Sequence, residues 1–144
     1  MKGELLYKVT ALQQLFRFRG FECEVAARSA GSLRGKHLML TVSNGCFFGG
    51  GFPIAPGGSV SDGRLHACVI ADAPPLSRLR LFNLAERGRH VRSERVQILS
   101  DVALRLTFAA PPRFEMDGDL RLSEGASVEV SVRPAALAVV APTA

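Results

Sequence analysis

Residues 96–140 read VQILSDVALRLTFAAPPRFEMDGDLRLSEGASVEVSVRPAALAVV, and the fold can be predicted most directly from them. Apolar and polar residues alternate in short runs separated by turn residues, most regularly in residues 128–132 (VEVSV). Alternation with a period of two is typical of half-buried strands, and many short strands at close intervals predict a sandwich or barrel. Six strands are expected here, at residues 96–99, 103–109, 113–116, 120–122, 128–132 and 136–140.

The N-terminal half adds three expected strands and two helices. Residues 3–18 are predicted to be helical because apolar residues recur at spacings of three and four, and a second helix is expected from Leu76 to Ala85, ending near Gly88. The strands are expected at residues 21–27, 37–43 and 65–71. We therefore predict one domain over residues 1–144, mainly β (α+β), with a β-sandwich of short, largely antiparallel strands and two helices.

Composition narrows the class of protein. Hydrophobic residues make up 47% and charged residues 22%, as in an ordinary globular protein. The three cysteines are widely spaced and odd in number, which favours reduced, mostly buried thiols over a disulfide framework or a zinc site. Apolar runs are too short to cross a bilayer and no leader pattern is present, so we expect a cytoplasmic protein.

The formal net charge of +5 comes chiefly from arginine. The densest positive segment is residues 87–95, RGRHVRSER. It has no aromatic residue on which bases could stack, and we therefore expect no nucleic-acid partner. An anionic lipid surface and a merely solvated helix end both remain open as interpretations of this segment.

A glycine-rich segment without periodicity, residues 44–63, predicts a long loop of the kind that is usually functional or mobile. Gly49, Gly50 and Gly51 would let backbone amides approach an anion closely, because no Cβ intervenes. They follow a strand without opening a helix, which differs from the context of a dinucleotide or Walker loop. A plain flexible loop is therefore the competing interpretation.

Two acidic turns offer oxygen ligands or a base. The turn at residues 59–64 (SVSDGR) has one carboxylate and several carbonyls, which suit a hard cation such as magnesium or calcium. Residues 115–120 (EMDGDL) place Asp117 and Asp119 around a glycine, where a carboxylate could take a proton from a hydroxyl nucleophile. Each Asp-Gly pair is equally typical of a simple hairpin turn. His37, His66 and His90 are scattered, and we interpret them as satisfied strand or surface residues.

The order of the motifs is more specific than any one of them. GELLY, LFRF, VSNG, GGG, PxxxxxDGxL, LAERGRH, MDGD and RPAALAVVAP follow one another along the chain. In this order the whole chain resembles the C-terminal half of the bacterial diacylglycerol kinase family, which includes the sphingosine kinases. In that family this half is a β-sandwich packed on an N-terminal α/β domain with a Gly-Gly-Asp-Gly-Thr nucleotide motif, and these 144 residues lack that motif.

The resemblance implies a role for each candidate site residue. Asp62 would hold a structural magnesium ion together with the carbonyls of Ser59 and Arg64. Asp117 would deprotonate the lipid hydroxyl with support from Asp119, which stands where the family has the longer Glu. The cleft between the two domains would be faced by Asn44, Gly49, Gly50 and Gly51.

The implied function is that of the substrate-side domain of an ATP-dependent lipid kinase, acting on a diacylglycerol-like or sphingoid lipid. ATP and the N-terminal domain would be needed for turnover, so no activity is expected from this chain alone. The alternative is a stand-alone module that binds a lipid or an anionic membrane without catalysis. We also expect peripheral membrane association, and self-association if the face for the missing domain is apolar.

Overall fold

The computed structural model describes residues 17–49 and 51–140. The strands in these residues are β1 Phe21–Ala27, β2 Gly31–Ser43, β3 Leu65–Ala71, β4 Val96–Asp101, β5 Ala103–Phe108, β6 Arg113–Met116, β7 Asp119–Leu122 and β8 Ser127–Ser131. Six of them form an antiparallel sheet with the order β4-β3-β2-β1-β5-β8, and β6 and β7 form a separate hairpin. The α-helix α1 spans Pro75–Ala85, and a 3-10 turn spans His90–Arg92.

The main core lies on one face of the sheet. Alternate residues of β1 point into it, including Cys23, Val25 and Ala27, as the period of two requires. They pack with Ala67 of β3 and Leu104 of β5, which are almost fully buried. Because residues from non-adjacent strands meet here, the sheet curves around this core, and the predicted sandwich-like β architecture is confirmed.

A second core lies on the opposite face of β3, beneath α1. Cys68 and Ile70 contribute the other alternate positions of this strand, and Leu81 of α1 and Ile54 of the long loop cover them. Both faces of β3 are therefore occupied, and every residue of the strand except Ala71 is buried. This packing fixes α1 and the loop on the same side of the sheet.

A buried arginine, Arg78, lies in the first turn of α1. Pro75 occupies its first turn, where a missing backbone N–H costs nothing. The guanidinium of Arg78 donates to the carbonyl oxygens of Ala73 at 2.6 Å and Phe18 at 2.7 Å and to Asp72 Oδ1 at 2.7 Å. Gly88, with φ of +63°, follows the helix end as predicted. Within the described residues, no helix is long and apolar enough to cross a membrane.

Most predicted strands are confirmed, and two segments differ. The strand β2 begins at Gly31, before the predicted start at residue 37, because residues 31–37 pair with β1. Residues 136–140 form no strand, so that prediction is wrong: Pro134 has no N–H to donate, and Ala135 has φ of +53°, which ends the extended backbone. The helix predicted over residues 3–18 lies almost entirely outside the described residues.

The cysteines are as expected in most respects. All three are free thiols, with Cys23 and Cys68 buried and Cys46 partly exposed. Between residues 17 and 140, Gly50 apart, no group of three or more His, Cys, Asp or Glu side chains is arranged to hold a metal.

Candidate functional site

The acidic turn at Asp117 is the tip of the β6–β7 hairpin. Met116 pairs with Asp119, which leaves Asp117 and Gly118 as a two-residue loop. Both have positive φ, +52° and +95°, as a type I′ hairpin turn requires. The sequence Asp-Gly thus has a structural reason, and the same turn places the Asp117 carboxylate in solvent.

Asp119 follows directly as the first residue of β7. Its side chain is 75% exposed and its Oδ2 lies 3.3 Å from Nη2 of Arg121, in an ion pair on the same strand. The hairpin therefore presents two carboxylates and one arginine on an open surface. Such a group can accept a proton from a hydroxyl that is brought to it by another body.

The turn at Asp62 is organised around its carboxylate. Oδ2 accepts hydrogen bonds from Nε2 of His66 at 2.9 Å and from the Ser59 amide at 3.1 Å, and Oδ1 accepts one from the Arg64 amide at 2.8 Å. The bond from His66, followed by the Arg64 amide, holds the pKa of Asp62 below its ordinary value. Gly63, with φ of +66°, completes the turn, and a Cβ there would lie 3.6 Å from Pro134.

The chemistry of this turn is compatible with magnesium. A carboxylate and two carbonyls are hard oxygen donors of the kind that Mg²⁺ takes, usually with several waters. A carboxylate offers about four lone-pair positions, and three hydrogen bonds leave one of them on Oδ1 of Asp62. The ligands would thus be Asp62 Oδ1 with the carbonyls of Ser59 and Arg64, while His66 keeps its bond to Oδ2.

The glycine triplet closes a very small hairpin. Phe48 and Phe52 exchange two backbone hydrogen bonds of 2.9 Å, and the glycines connect them. Gly49 and Gly51 have φ of +46° and +110°, which suit residues without a Cβ, while Gly50 lies outside the described residues. Asn44 is exposed at the start of the same loop, directly after β2.

Two residues in the middle of the long loop are buried. Ile54 and Ala55 are 2% and 1% exposed. Nε2 of His90, a fully buried side chain, donates to the carbonyl of Ile54 at 3.0 Å. Ile54 and Ala55 are therefore packed like a core segment, whereas the sequence had suggested a flexible loop, and most of residues 56–62 are exposed.

Two hydrogen bonds that organise these segments were not predicted from the sequence. His66 donates to Asp62 across the turn into β3, and His90, in the 3-10 turn after α1, donates to Ile54 of the loop. The spacing Asp-x-x-x-His was visible, but only the turn geometry brings the two side chains together. His37, by contrast, donates from Nε2 to the carbonyl of Cys23 within the sheet. Its Nδ1 is buried without a hydrogen-bond partner among the residues that the structure describes, so the prediction of a satisfied histidine holds for only one of its ring nitrogens.

The predicted site residues occupy three separate segments. They are the Asp117 hairpin tip, the Asp62 turn and the loop with Asn44 and the glycines. Among the described residues, no hydrogen bond or ion pair joins one of these segments to another. The Asn44 loop and the Asp62 turn are nevertheless neighbours, because a Cβ added to Gly45 would lie 3.1 Å from Cγ1 of Val60.

Comparison with known families decides the class of domain. Residues 1–141 match the family model of the YegS C-terminal NAD kinase beta sandwich-like domain. The chain belongs to this family. The family's sandwich-like fold agrees with the curved antiparallel sheet described above, and the predicted relation to the C-terminal domains of diacylglycerol kinase-like proteins is confirmed.

Solved structures with the same fold are about twice as long as this chain. A candidate diacylglycerol kinase from Bacillus anthracis strain Sterne superposes with a TM-score of 0.67 at 11% identity, covering 91% of this chain and 47% of its own. A diacylglycerol kinase structure from the same strain gives a TM-score of 0.60 at 13% identity, with the same coverage. At this identity the likeness concerns the fold. No curated protein matches the chain in sequence.

Proposed function

We propose that the chain is the substrate-side domain of an ATP-dependent lipid kinase. The observation that carries the proposal is the hairpin tip, where Asp117 and Asp119 are exposed at a type I′ turn in a domain of this family. Within the described residues, no structural contact requires both carboxylates. They are suited to receive a hydroxyl-bearing substrate, for which we propose a diacylglycerol-like or sphingoid lipid.

The chain's own part in the reaction is a proton transfer. Asp117 accepts the proton of the lipid hydroxyl while that oxygen bonds to the γ-phosphorus of ATP and the bond to the ADP oxygen breaks. Asp119, held by Arg121, keeps a second negative charge beside Asp117 and orients the hydroxyl. Asp119 is one methylene shorter than Glu, so the hydroxyl must come closer to the strand for the reacting atoms to meet at about 3 Å.

Magnesium at the Asp62 turn would have a structural role in this proposal. It would tie the end of the loop to the start of β3 through Asp62 and the carbonyls of Ser59 and Arg64. When bound, the ion supplies charge neutralisation and fixed geometry to this turn. The proton transfer at Asp117 proceeds through the hairpin's own residues.

We propose that a second domain, which binds the nucleotide, docks on the β6–β7 hairpin and completes the site. Met116, Leu120 and Leu122 are 48%, 75% and 64% exposed, which is unusual for apolar residues of a paired strand. Without that domain, two copies of the chain are expected to associate through this face. Sedimentation as a strict monomer at high concentration would contradict this docking surface.

The experiment is a phosphorylation assay with radiolabelled ATP and diacylglycerol or a long-chain base in mixed micelles. The purified chain alone is expected to give no product, because positioning and charge neutralisation must come from both sides of the nucleotide. Adding a domain with a Gly-Gly-Asp-Gly-Thr motif, encoded upstream or nearby in the same genome, is expected to restore transfer. Detectable ATP-dependent product from the 144 residues alone would overturn the proposed division of labour.

Binding of a lipid surface without catalysis is the second candidate function. The specific observation in its favour is the arginine-rich end of α1, which lies next to exposed leucines. In either case we propose a cytoplasmic protein that works at the surface of a membrane.

A further inference from the structure

The outer face of α1 exposes three large apolar side chains beside Arg80 and Asn83. Leu76, Leu79 and Phe82 are 78%, 36% and 43% exposed. The helix buries Arg78, Leu81 and Ala85 toward the sheet, so the leucines and the phenylalanine lie outside the core. A solvent-facing helix surface is normally polar, and a contiguous exposed apolar patch marks an interaction site.

The patch continues onto the glycine loop. The rings of Phe82 and Phe52 lie 5.6 Å apart between centroids. Phe52 is bonded to Phe48, which is 39% exposed. The exposed apolar side chains of α1 and the neighbouring Phe52 and Phe48 therefore form one surface, which we call the α1 surface.

Arginines border the α1 surface. An open groove of about 610 Å³ lies along α1. Its lining includes Leu76 and Leu79 together with Arg80, Arg87 and Arg89, and Glu86 is its single acidic residue. Within the described part of the chain, these three guanidinium groups form no ion pair. Residues 78–95 contain six arginines and two glutamates, a net charge of +4 against +5 for the whole chain.

We infer that the α1 surface docks on an anionic phospholipid membrane. A surface with apolar side chains next to arginines suits the boundary between acyl chains and phosphate headgroups. The apolar side chains insert among the acyl chains, and the arginines bind the phosphates. A symmetric dimer through this surface would bring the arginines of both copies together, which like-charge repulsion opposes. The inference rests on the second candidate function, binding of a lipid surface without catalysis, and it assigns that binding to the α1 surface.

The test is co-sedimentation of the purified chain with vesicles that contain neither diacylglycerol nor ATP. We expect binding to vesicles of phosphatidylcholine with phosphatidylglycerol, little binding to phosphatidylcholine alone, and weaker binding as salt rises. The variant R80Q/R87Q/R89Q is expected to bind on the order of 100-fold more weakly, since each basic residue near such a surface contributes about 1 kcal/mol. We expect L76S/L79S to bind the vesicles more weakly than the wild type. Its residual binding should still weaken as salt rises, because the arginines remain.

The matched control is R28Q/R34Q/R113Q, which removes the same charge from exposed positions on other elements. We expect the free energy of vesicle binding to fall in this control by less than half of its fall in R80Q/R87Q/R89Q. Equal losses in both triple variants would show attraction by net charge alone and would overturn the inference. Failure to bind anionic vesicles would also overturn it, as would a dimer that L76S/L79S dissociates. Because the vesicles hold no kinase substrate, none of these outcomes bears on the kinase proposal.

Discussion

Two of the three thiols are protected by burial. Burial raises the pKa of Cys23 to about 11 and that of Cys68 to about 12, and the thiolate is the reactive form. Cys46, at the start of the long loop, is partly exposed. We expect a disulfide reagent at about pH 8 to label one thiol quickly in the native protein and all three after unfolding.

The control for this prediction is C46S, which should lose the fast phase completely. Rapid labelling that persists in C46S would mean that Cys23 or Cys68 is accessible, and the packing of one core would then be wrong.

Asp101 connects two turns of the sheet and should make stability depend on pH. Its Oδ2 accepts from the amide and hydroxyl of Ser29 at 2.6 and 2.9 Å, and Oδ1 accepts from the Val102 amide at 2.7 Å. These bonds, the Ser29 amide first, hold the pKa of Asp101 below its ordinary value. A lowered folded-state pKa adds stability above the unfolded value of about 4, and that stability is lost as pH falls through the folded pKa.

We therefore expect the difference in unfolding free energy between the wild type and D101N to be largest near neutral pH and to shrink toward about pH 2. Urea unfolding at several pH values measures it, with the exposed D119N as control. A difference that stays constant over this range would show that the charge of Asp101 contributes nothing.

Magnesium should stabilise the fold through Asp62 if the turn binds the ion. A ligand that binds only the native state raises the melting temperature with concentration. We expect millimolar Mg²⁺ to raise the melting temperature of the wild type by about 2–4 °C, the shift for roughly 1 kcal/mol in a domain of this size. D62N should show no such increase, whereas D119N should behave like the wild type. An equal increase in D62N would place the ion elsewhere.

Among elements, the loop after β2 depends on one buried histidine. His90 holds Ile54 by a 3.0 Å hydrogen bond, and both side chains lie almost entirely out of solvent. We expect H90A to lose about 2–4 kcal/mol of unfolding free energy, because it leaves a cavity and an unpaired carbonyl. The exposed neighbour variant V91A should change it by less than about 0.5 kcal/mol.

Proteolysis reports the same contact locally. A protease of broad specificity should cut residues 44–64 of H90A faster than those of V91A. Cleavage rates that match in the two variants would show that the loop is held by other contacts.

Strands with a clear pattern were predictable, and strands made by pairing were not. Residues 21–27 alternate cleanly and residues 65–71 form an apolar run, so local sequence was sufficient for both. Residues 31–36 contain Gly31 and Gly35 and resemble a turn, yet pairing with β1 makes them extended. Residues 136–140 have strand composition, but Pro134 and Ala135 interrupt the backbone before them.

The turns of the candidate site were predictable from the sequence, but the contacts between their side chains were not. Asp62 and Asp117 were visible because Asp-Gly marks a turn wherever it occurs between apolar runs. The hydrogen bond from His66 was not predictable, because three residues separate His66 from Asp62 across a bend whose shape depends on Gly63.

On the scale of the whole molecule, the described part of the domain has packed cores and an exposed apolar hairpin. One core lies within the curved sheet, and α1 and the loop cover the other. The β6–β7 hairpin, in contrast, exposes apolar residues beside two carboxylates. The structures with the same fold continue for about as many residues again. A domain of this form is suited to complete its site against a second one.

The central claim is that Asp117 is the base of a lipid kinase completed by a nucleotide-binding domain. Its most direct measurement is the rate of ATP-dependent lipid phosphorylation in the completed enzyme, with D117N compared with E124Q, which neutralises an exposed acid near the same hairpin. We predict that D117N lowers kcat by at least about 100-fold, the usual contribution of a general base, while E124Q stays within about twofold of the wild type. Equal rates for D117N and E124Q would contradict the claim.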